Sequence, residues 1–244
     1  MIPAFEKGSE LELKPWYSYQ GGEFHGPIPA FPDVNWEWMK EAEKKFTAIK
    51  SEIENLLGKK NNTLESYFNS SLIGGSGTWK VLNFYFWGKE EKENCDACPE
   101  LNRVLKNIPG LLTATVSKLD ANTEIKSHIG DTNMVMRCHF GLVIPESLPL
   151  CGIQVNGEKR SWEEGKWLVF CDAYFHNAWN KSDKVRYVLI VDVVLPRFIE
   201  QKEKISANVR SLLKLQKTID RKPRIGKLPG PFLGILRHFY KFTG

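Results

Sequence analysis

His128-Ile129-Gly130-Asp131-Thr132-Asn133-Met134-Val135-Met136-Arg137-Cys138-His139-Phe140-Gly141-Leu142-Val143-Ile144-Pro145 changes character a third of the way along. It opens polar and turn-rich. From residue 134 to 144 apolar side chains then dominate, as in a strand covered on both faces. Arg137 and His139 alternate there with Met136, Cys138 and Phe140, so the two ionisable groups point to one side. Residues 79–87, 111–119, 152–155, 166–171 and 185–195 have the same β-branched and aromatic character. Asp120-Ala121-Asn122, Asn156-Gly157 and residues 180–183 punctuate them as turns. Many short strands in one block predict a mostly β sandwich or barrel with flanking helices.

Upstream, residues 1–34 are rich in Pro, Gly and aromatics and read as an extended segment anchored across a core. Asn35 is placed to cap a helix of about 22 residues ended by Gly58, since Trp38, Met39, Ala42, Phe46, Ile49, Ile53, Leu56 and Leu57 recur at helical spacing. Residues 64–73 read as irregular. Gly74-Gly75-Ser76-Gly77 reads as a flexible turn without the Lys-Ser/Thr of a phosphate loop. A short helix is expected near 99–106. The strand at 79–87 is assigned to core packing rather than to a binding wall. Cys95-Asp96-Ala97-Cys98 reads as a loop near a substrate channel, because one such pair without a second is a poor zinc site.

The 244 residues carry 34 basic and 29 acidic side chains. Residues 201–244 hold 11 basic and 2 acidic residues, a net of +9 against −4 for residues 1–200. The chain therefore divides by composition into a body, 1–200, and a basic tail, 201–244. The tail reads as an amphipathic helix from after Pro196 to about Ile219, then a mixed segment at 228–242. Such a tail suits an anionic partner, for which peripheral contact with an anionic membrane is the expectation and nucleic acid is not. No apolar run approaches the ~20 residues of a bilayer span. No apolar stretch near the N-terminus reads as a secretory signal, and the five cysteines read as reduced buried thiols. A cytoplasmic setting, with membrane contact at most peripheral, is expected.

Of the five histidines, His25 and His238 lie in segments that suggest surface or packing roles. His128, His139 and His176 fall inside the strand block. His128 and His176 both sit beside turn residues, where a barrel mouth would be, and two imidazoles there can hold a divalent metal with open positions. Spacing alone does not pair them. Arg186 opens the apolar strand Arg186-Tyr187-Val188-Leu189-Ile190-Val191-Asp192. A buried guanidinium needs an anion, either a protein carboxylate such as Asp192 or a bound carboxylate held bidentately.

Taken together, the quoted stretch, the run Trp162–Trp179 with Asp172 and His176, and Arg186 through Asp192 resemble the core motifs of the aspartyl/asparaginyl β-hydroxylases. Weaker likeness reaches upstream, so the resemblance covers roughly residues 10–200 and not the tail. It implies a double-stranded β-helix (a jelly roll, cupin-like) with iron(II) at its open end, held by His128 and His176. It further implies Arg186 as the clamp on the distal carboxylate of 2-oxoglutarate. Ser117, Arg137 and His139 would bind that cosubstrate or shape its pocket. Most enzymes of this chemistry add a carboxylate two residues after the first histidine. Gly130 stands there, as in the peptide-hydroxylating branch, so water is expected in the third position. Asp131 is a candidate only for the surroundings of the metal, and Asp172 is placed to orient His176.

The resemblance implies a dioxygenase that couples oxidative decarboxylation of 2-oxoglutarate by O2 to hydroxylation of an unactivated C–H. The β-carbon of an Asp or Asn residue in a peptide, or a related amino acid, is the first acceptor. A lipid A-type acyl chain at a membrane surface is the alternative. The absent carboxylate also leaves open a non-catalytic jelly-roll binding module.

Overall fold

A computed structural model of the chain describes residues 13–20, 22–59 and 64–241. Its core is two antiparallel sheets between which the chain passes repeatedly. The strands are β1 (Glu65–Ser66), β2 (Ile73–Gly75), β3 (Trp79–Phe86), β4 (Lys89–Glu90), β5 (Leu111–Leu119) and β6 (Thr123–His128). They continue as β7 (Val135–Val143), β8 (Cys151–Val155), β9 (Glu158–Arg160), β10 (Trp167–Phe170), β11 (His176–Asn180) and β12 (Arg186–Val194). One sheet has the order β1-β3-β5-β12-β7-β10, with β4 beside β3, and the other β2-β6-β11-β8-β9. From β5 to β12 the chain alternates between the sheets, with only the β8–β9 hairpin staying in one. This is the topology of a double-stranded β-helix, the expected jelly roll. The β8–β9 hairpin turns on Asn156 (φ 47°) and Gly157 (φ 86°), the Asn-Gly pair whose left-handed conformation matches strand twist.

Strand parity sorts the side chains into two cores. On β5, β7 and β12 the residues Ala114, Val116, Cys138, Phe140, Leu189 and Val191 face outward into the larger core. There they meet α1 (Glu37–Lys44), α2 (Phe46–Lys59), α3 (Lys92–Ala97) and α4 (Pro99–Lys106). Ile49, Ile53 and Leu56 form the buried stripe of α2. The inner faces enclose a smaller core that includes Trp79, Leu119, Ile125, Ile153, Trp162, Phe170 and Val188. Thr113, Thr115, Ser117, Arg137, His139, Arg186 and Asp192 share that inner side by parity. The barrel interior is thus where polar groups collect.

Several expectations change. The single helix divides at Lys45 (φ −97°, ψ 9°), and its N-cap position is Trp36, with no side-chain cap. The division lets Trp38 meet Trp167 edge-on, while Phe46 does the same to Phe140. Gly58 lies inside α2. Residues 64–73 hold β1 and a 3-10 turn and lead into β2, whose Gly74 and Gly75 pair with β6 rather than forming a free turn. Cys95 and Cys98 flank and enter helices, and both are buried in the larger core, not in a channel loop. All five cysteines are free and buried. The extended segment is described from Leu13; Leu13, Tyr17, Phe24 and Ile28 are buried in the larger core.

Of the tail, α5 (Lys202–Arg221) starts later than expected, because Pro196–Gln201 form a 3-10 turn, and ends two residues further on. α6 is Gly230–Tyr240. Ile205 and Val209 of α5 join the larger core, and Asn208 donates to the Tyr17 hydroxyl (3.0 Å). The tail is therefore packed onto the body. Among the described residues no helix is long and apolar enough to cross a membrane.

Candidate active site

Two of the strands that the sequence did not announce, β6 and β11, bring His128 and His176 together. They pair antiparallel with His128 directly opposite His176, next to a bulge in β11. The ring centroids are 4.2 Å apart. Each ring is held in the same way: His128 Nδ1 lies 2.9 Å from the Lys126 carbonyl, and His176 Nδ1 lies 2.9 Å from the Tyr174 carbonyl. A carbonyl only accepts, so Nδ1 carries the proton in both rings and Nε2 keeps its lone pair. Burial lowers the pKa of His128. His176 is held well below the imidazole range by burial and then by His128. Both rings are thus neutral, as metal ligands must be. The carbonyl of Tyr174 orients His176, with the backbone of Asp172, rather than its carboxylate, as a further contact.

Asp172 instead faces Arg137 and Gly130. Arg137 Nη1 lies 3.1 Å from Asp172 Oδ2. Asp192, directly opposite Arg137 on β12, accepts from its Nε and Nη2 at 2.7 and 2.9 Å. Burial alone would pull Arg137 down, but the two carboxylates outweigh it and hold the guanidinium well above its usual range. Asp172 is 1% exposed, and neither of its oxygens has a hydrogen-bond donor among the described residues. Its burial outweighs the pull of Arg137 and raises it to about 7. A Cβ on Gly130 would come within 2.2 Å of Asp172 Oδ2. The place where a side chain at 130 would grow is filled by the Asp172 carboxylate.

Arg186 is differently placed. It is 1% exposed, and Asp192, six residues along the same strand, is about 20 Å away by strand rise and belongs to Arg137. Arg186 donates from Nη2 to Ser117 Oγ (3.2 Å), which also receives Trp79 Nε1 (3.0 Å). Its guanidinium lies over Trp162 at 4.7 Å, and its Nε has no partner among the described residues. Burial lowers its pKa to about 10, which leaves it charged at neutral pH. Trp162 Nε1 donates to His139 Nδ1 (3.2 Å), so the His139 proton sits on Nε2, again without a partner. Burial, then Arg137 and Arg186, keep His139 neutral. Two buried N–H donors around one tryptophan lack an acceptor, and a carboxylate would supply two.

The donor set fits iron(II): two neutral imidazoles that keep Nε2 lone pairs, beside a buried carboxyl group ion-paired with Arg137. Among the described residues no group of three or more His, Cys, Asp or Glu side chains is placed to hold a metal ion. A cavity of about 610 Å³ reaches His128, Gly130, Asp131 and Arg137. Its walls include Tyr67, Phe68, Leu72, Trp79, Phe86 and Leu212. The strand read as core packing therefore does both jobs: Phe84 faces the larger core and Trp79, Val81 and Asn83 line the cavity. His25 and His238 are exposed, away from it. Nothing local in the sequence marks Trp162 or Leu212 as site residues. The motif quoted Trp162, but only its contacts give it a role.

The family model described as Aspartyl/Asparaginyl beta-hydroxylase matches residues 43–196. An ornithine lipid ester-linked acyl 2-hydroxylase of Rhizobium tropici is 35% identical over 175 residues, 70% of this chain and 62% of that one. Aspartate beta-hydroxylase domain-containing protein 2 of Mus musculus is 32% identical over 211 residues, 78% of this chain and 59% of that one. The human aspartyl/asparaginyl beta-hydroxylase is 31% identical over 133 residues, 52% of this chain and 17% of that one. The chain thus spans less than two thirds of each of these relatives.

Proposed function

The chain belongs to the aspartyl/asparaginyl β-hydroxylase family, and from that premise we propose that it is an iron(II)- and 2-oxoglutarate-dependent hydroxylase of an aliphatic C–H. The observation that carries this is the convergence of His128 and His176, neutral and fixed through Nδ1, at one end of the barrel. Iron(II), held by their Nε2 atoms, would supply activation of O2 coupled to decarboxylation of the keto acid. The protein's own part is placement. Arg186 and Ser117 receive the distal carboxylate of 2-oxoglutarate. His139 Nε2–H donates toward the same ligand. Trp162 holds His139 and covers the guanidinium, excluding water. Arg137 holds Asp172 in place beside Gly130, where its carboxyl group could hydrogen-bond to a water beside the metal.

For the acceptor, the predominantly apolar and aromatic wall of the cavity favours an acyl chain over a charged side chain. The name of the Rhizobium tropici relative agrees with that choice. The family description favours the second acceptor, the β-carbon of a peptide Asp or Asn.

Purified protein incubated with iron(II), 2-oxoglutarate and O2 should release succinate. His176→Ala should lose all of it. Mass spectrometry of candidate lipids and peptides offered together should find one added oxygen in the acyl chains. Oxygen confined to peptides would reverse the order of acceptors. Equal succinate from His176→Ala would end the enzymatic reading.

A further inference from the structure

Phe232, Ile235 and Phe239 of α6 are 59%, 68% and 59% exposed. At 100° per residue they fall within about 60° of the helix circumference, one continuous apolar stripe. Leu228, just before the helix, is also exposed. The adjoining side is used to pack on the body. Leu233, Leu236 and Tyr240 are partly covered, Thr218 and Tyr240 hydroxyls are 3.2 Å apart, and Arg237 lies 3.8 Å over the Tyr19 ring. The stripe therefore points away from everything the described residues could bury it against.

Cations lead into it. Arg221 at the end of α5 and Lys222, Arg224 and Lys227 in the link to α6 are exposed. Lys204, Arg237 and Lys241 form a second cationic cluster on the side of α6 turned to the body. Residues 201–244 hold only 2 acidic side chains. A protein groove would account for the stripe and leave the charge unexplained. An anionic bilayer accounts for both, since apolar side chains enter the acyl boundary while cations meet the headgroups.

We infer that the outer face of α6 is a docking surface for an anionic lipid bilayer, with Phe232, Ile235 and Phe239 inserting and the flanking Lys and Arg residues on the headgroups. α6 packs on α5, whose Leu212, Leu213, Gln216 and Lys217 line the cavity. Docking there brings the cavity to within one helix of the lipid. This surface goes beyond the hydroxylase reading and does not depend on it.

Flotation of the full chain with vesicles tests it without metal or turnover. The protein should float with vesicles of phosphatidylglycerol and phosphatidylcholine, stay behind with pure phosphatidylcholine, and be released by salt. Phe232→Ser, Ile235→Ser and Phe239→Ser together should lower the bound fraction by about tenfold or more. So should Lys222→Glu, Arg224→Glu and Lys227→Glu together, which also cover the case that the first variant misfolds. Both should melt as the wild type does. Flotation unchanged in either variant, or absent in the wild type, overturns the inference. So does a stripe variant that dissociates a dimer without altering flotation, because the stripe is then covered by a second copy. Loss of flotation with succinate release intact, or the reverse, separates this inference from the proposed activity.

Discussion

Arg137 and Arg186 stand on neighbouring strands, β7 and β12, and both point into the barrel, but their surroundings differ. Arg137 meets two carboxylates, Asp192 across the strand pair and Asp172 from the loop before β11. Arg186 has one serine hydroxyl and a tryptophan face. A satisfied guanidinium holds a structure together. An unsatisfied one, kept dry, stores a demand for an anion that only a ligand can meet. One half of this barrel wall thus has its guanidinium paired with carboxylates, and the other half holds a buried guanidinium with none.

The largest expected effect tests the paired half. Arg137→Met strands Asp172 and Asp192 as buried charges and should destabilise the metal-free protein by about 3–5 kcal/mol in urea denaturation. A loss under 1 kcal/mol would show that the pair is not what holds this wall.

Arg186→Met should do the opposite to the empty protein, leaving it unchanged or more stable by about 1–4 kcal/mol, because a cation without a carboxylate has been replaced by an apolar side chain. The wild type should gain melting temperature with 2-oxoglutarate and the variant should not. Equal destabilisation by both arginine variants would erase the distinction between them.

The smallest effect concerns the histidine beside both arginines. His139 and His176 are held well below the usual imidazole range, by burial first. On acidification the unfolded chain takes up these protons before the folded one. Stability present above pH ~6.5 is therefore lost as pH falls toward the folded values, by up to about 1.4 kcal/mol per pH unit for each ring. His139→Gln should flatten that slope by one such share in denaturation curves taken between neutral and mildly acid pH. An unchanged slope would mean that the ring is already protonated or reaches water.

The strands that are legible in the sequence are those rich in apolar and β-branched residues, the half-covered β3 and β10 included. β5, β7 and β12 carry near-continuous apolar runs, and their bounds fall within a residue or two of the expected ones. β6 and β11, which present the two candidate iron ligands, were missed. Thr123–His128 alternates buried and exposed residues over only six positions, and His176–Asn180 holds two asparagines. Short, half-polar strands look like the turns that flank them. The helix of α1 and α2 was visible as apolar spacing, but its division at Lys45 answers to aromatic contacts with β7 and β10, which no local pattern contains.

By itself the sequence determined which side chains share a face, because strand parity is local. Arg137 goes with His139, and Arg186 with Asp192. It also carried the motifs through which the family was recognisable. Only the tertiary structure decided who meets whom: Asp192 with Arg137 through the β7–β12 register, His128 with His176 through a bulged antiparallel pair, and Gly130 against Asp172 just beyond the end of that pair. Parity fixes direction along one strand. Partnership depends on register between strands dozens of residues apart, and register is set by the packing of the whole barrel.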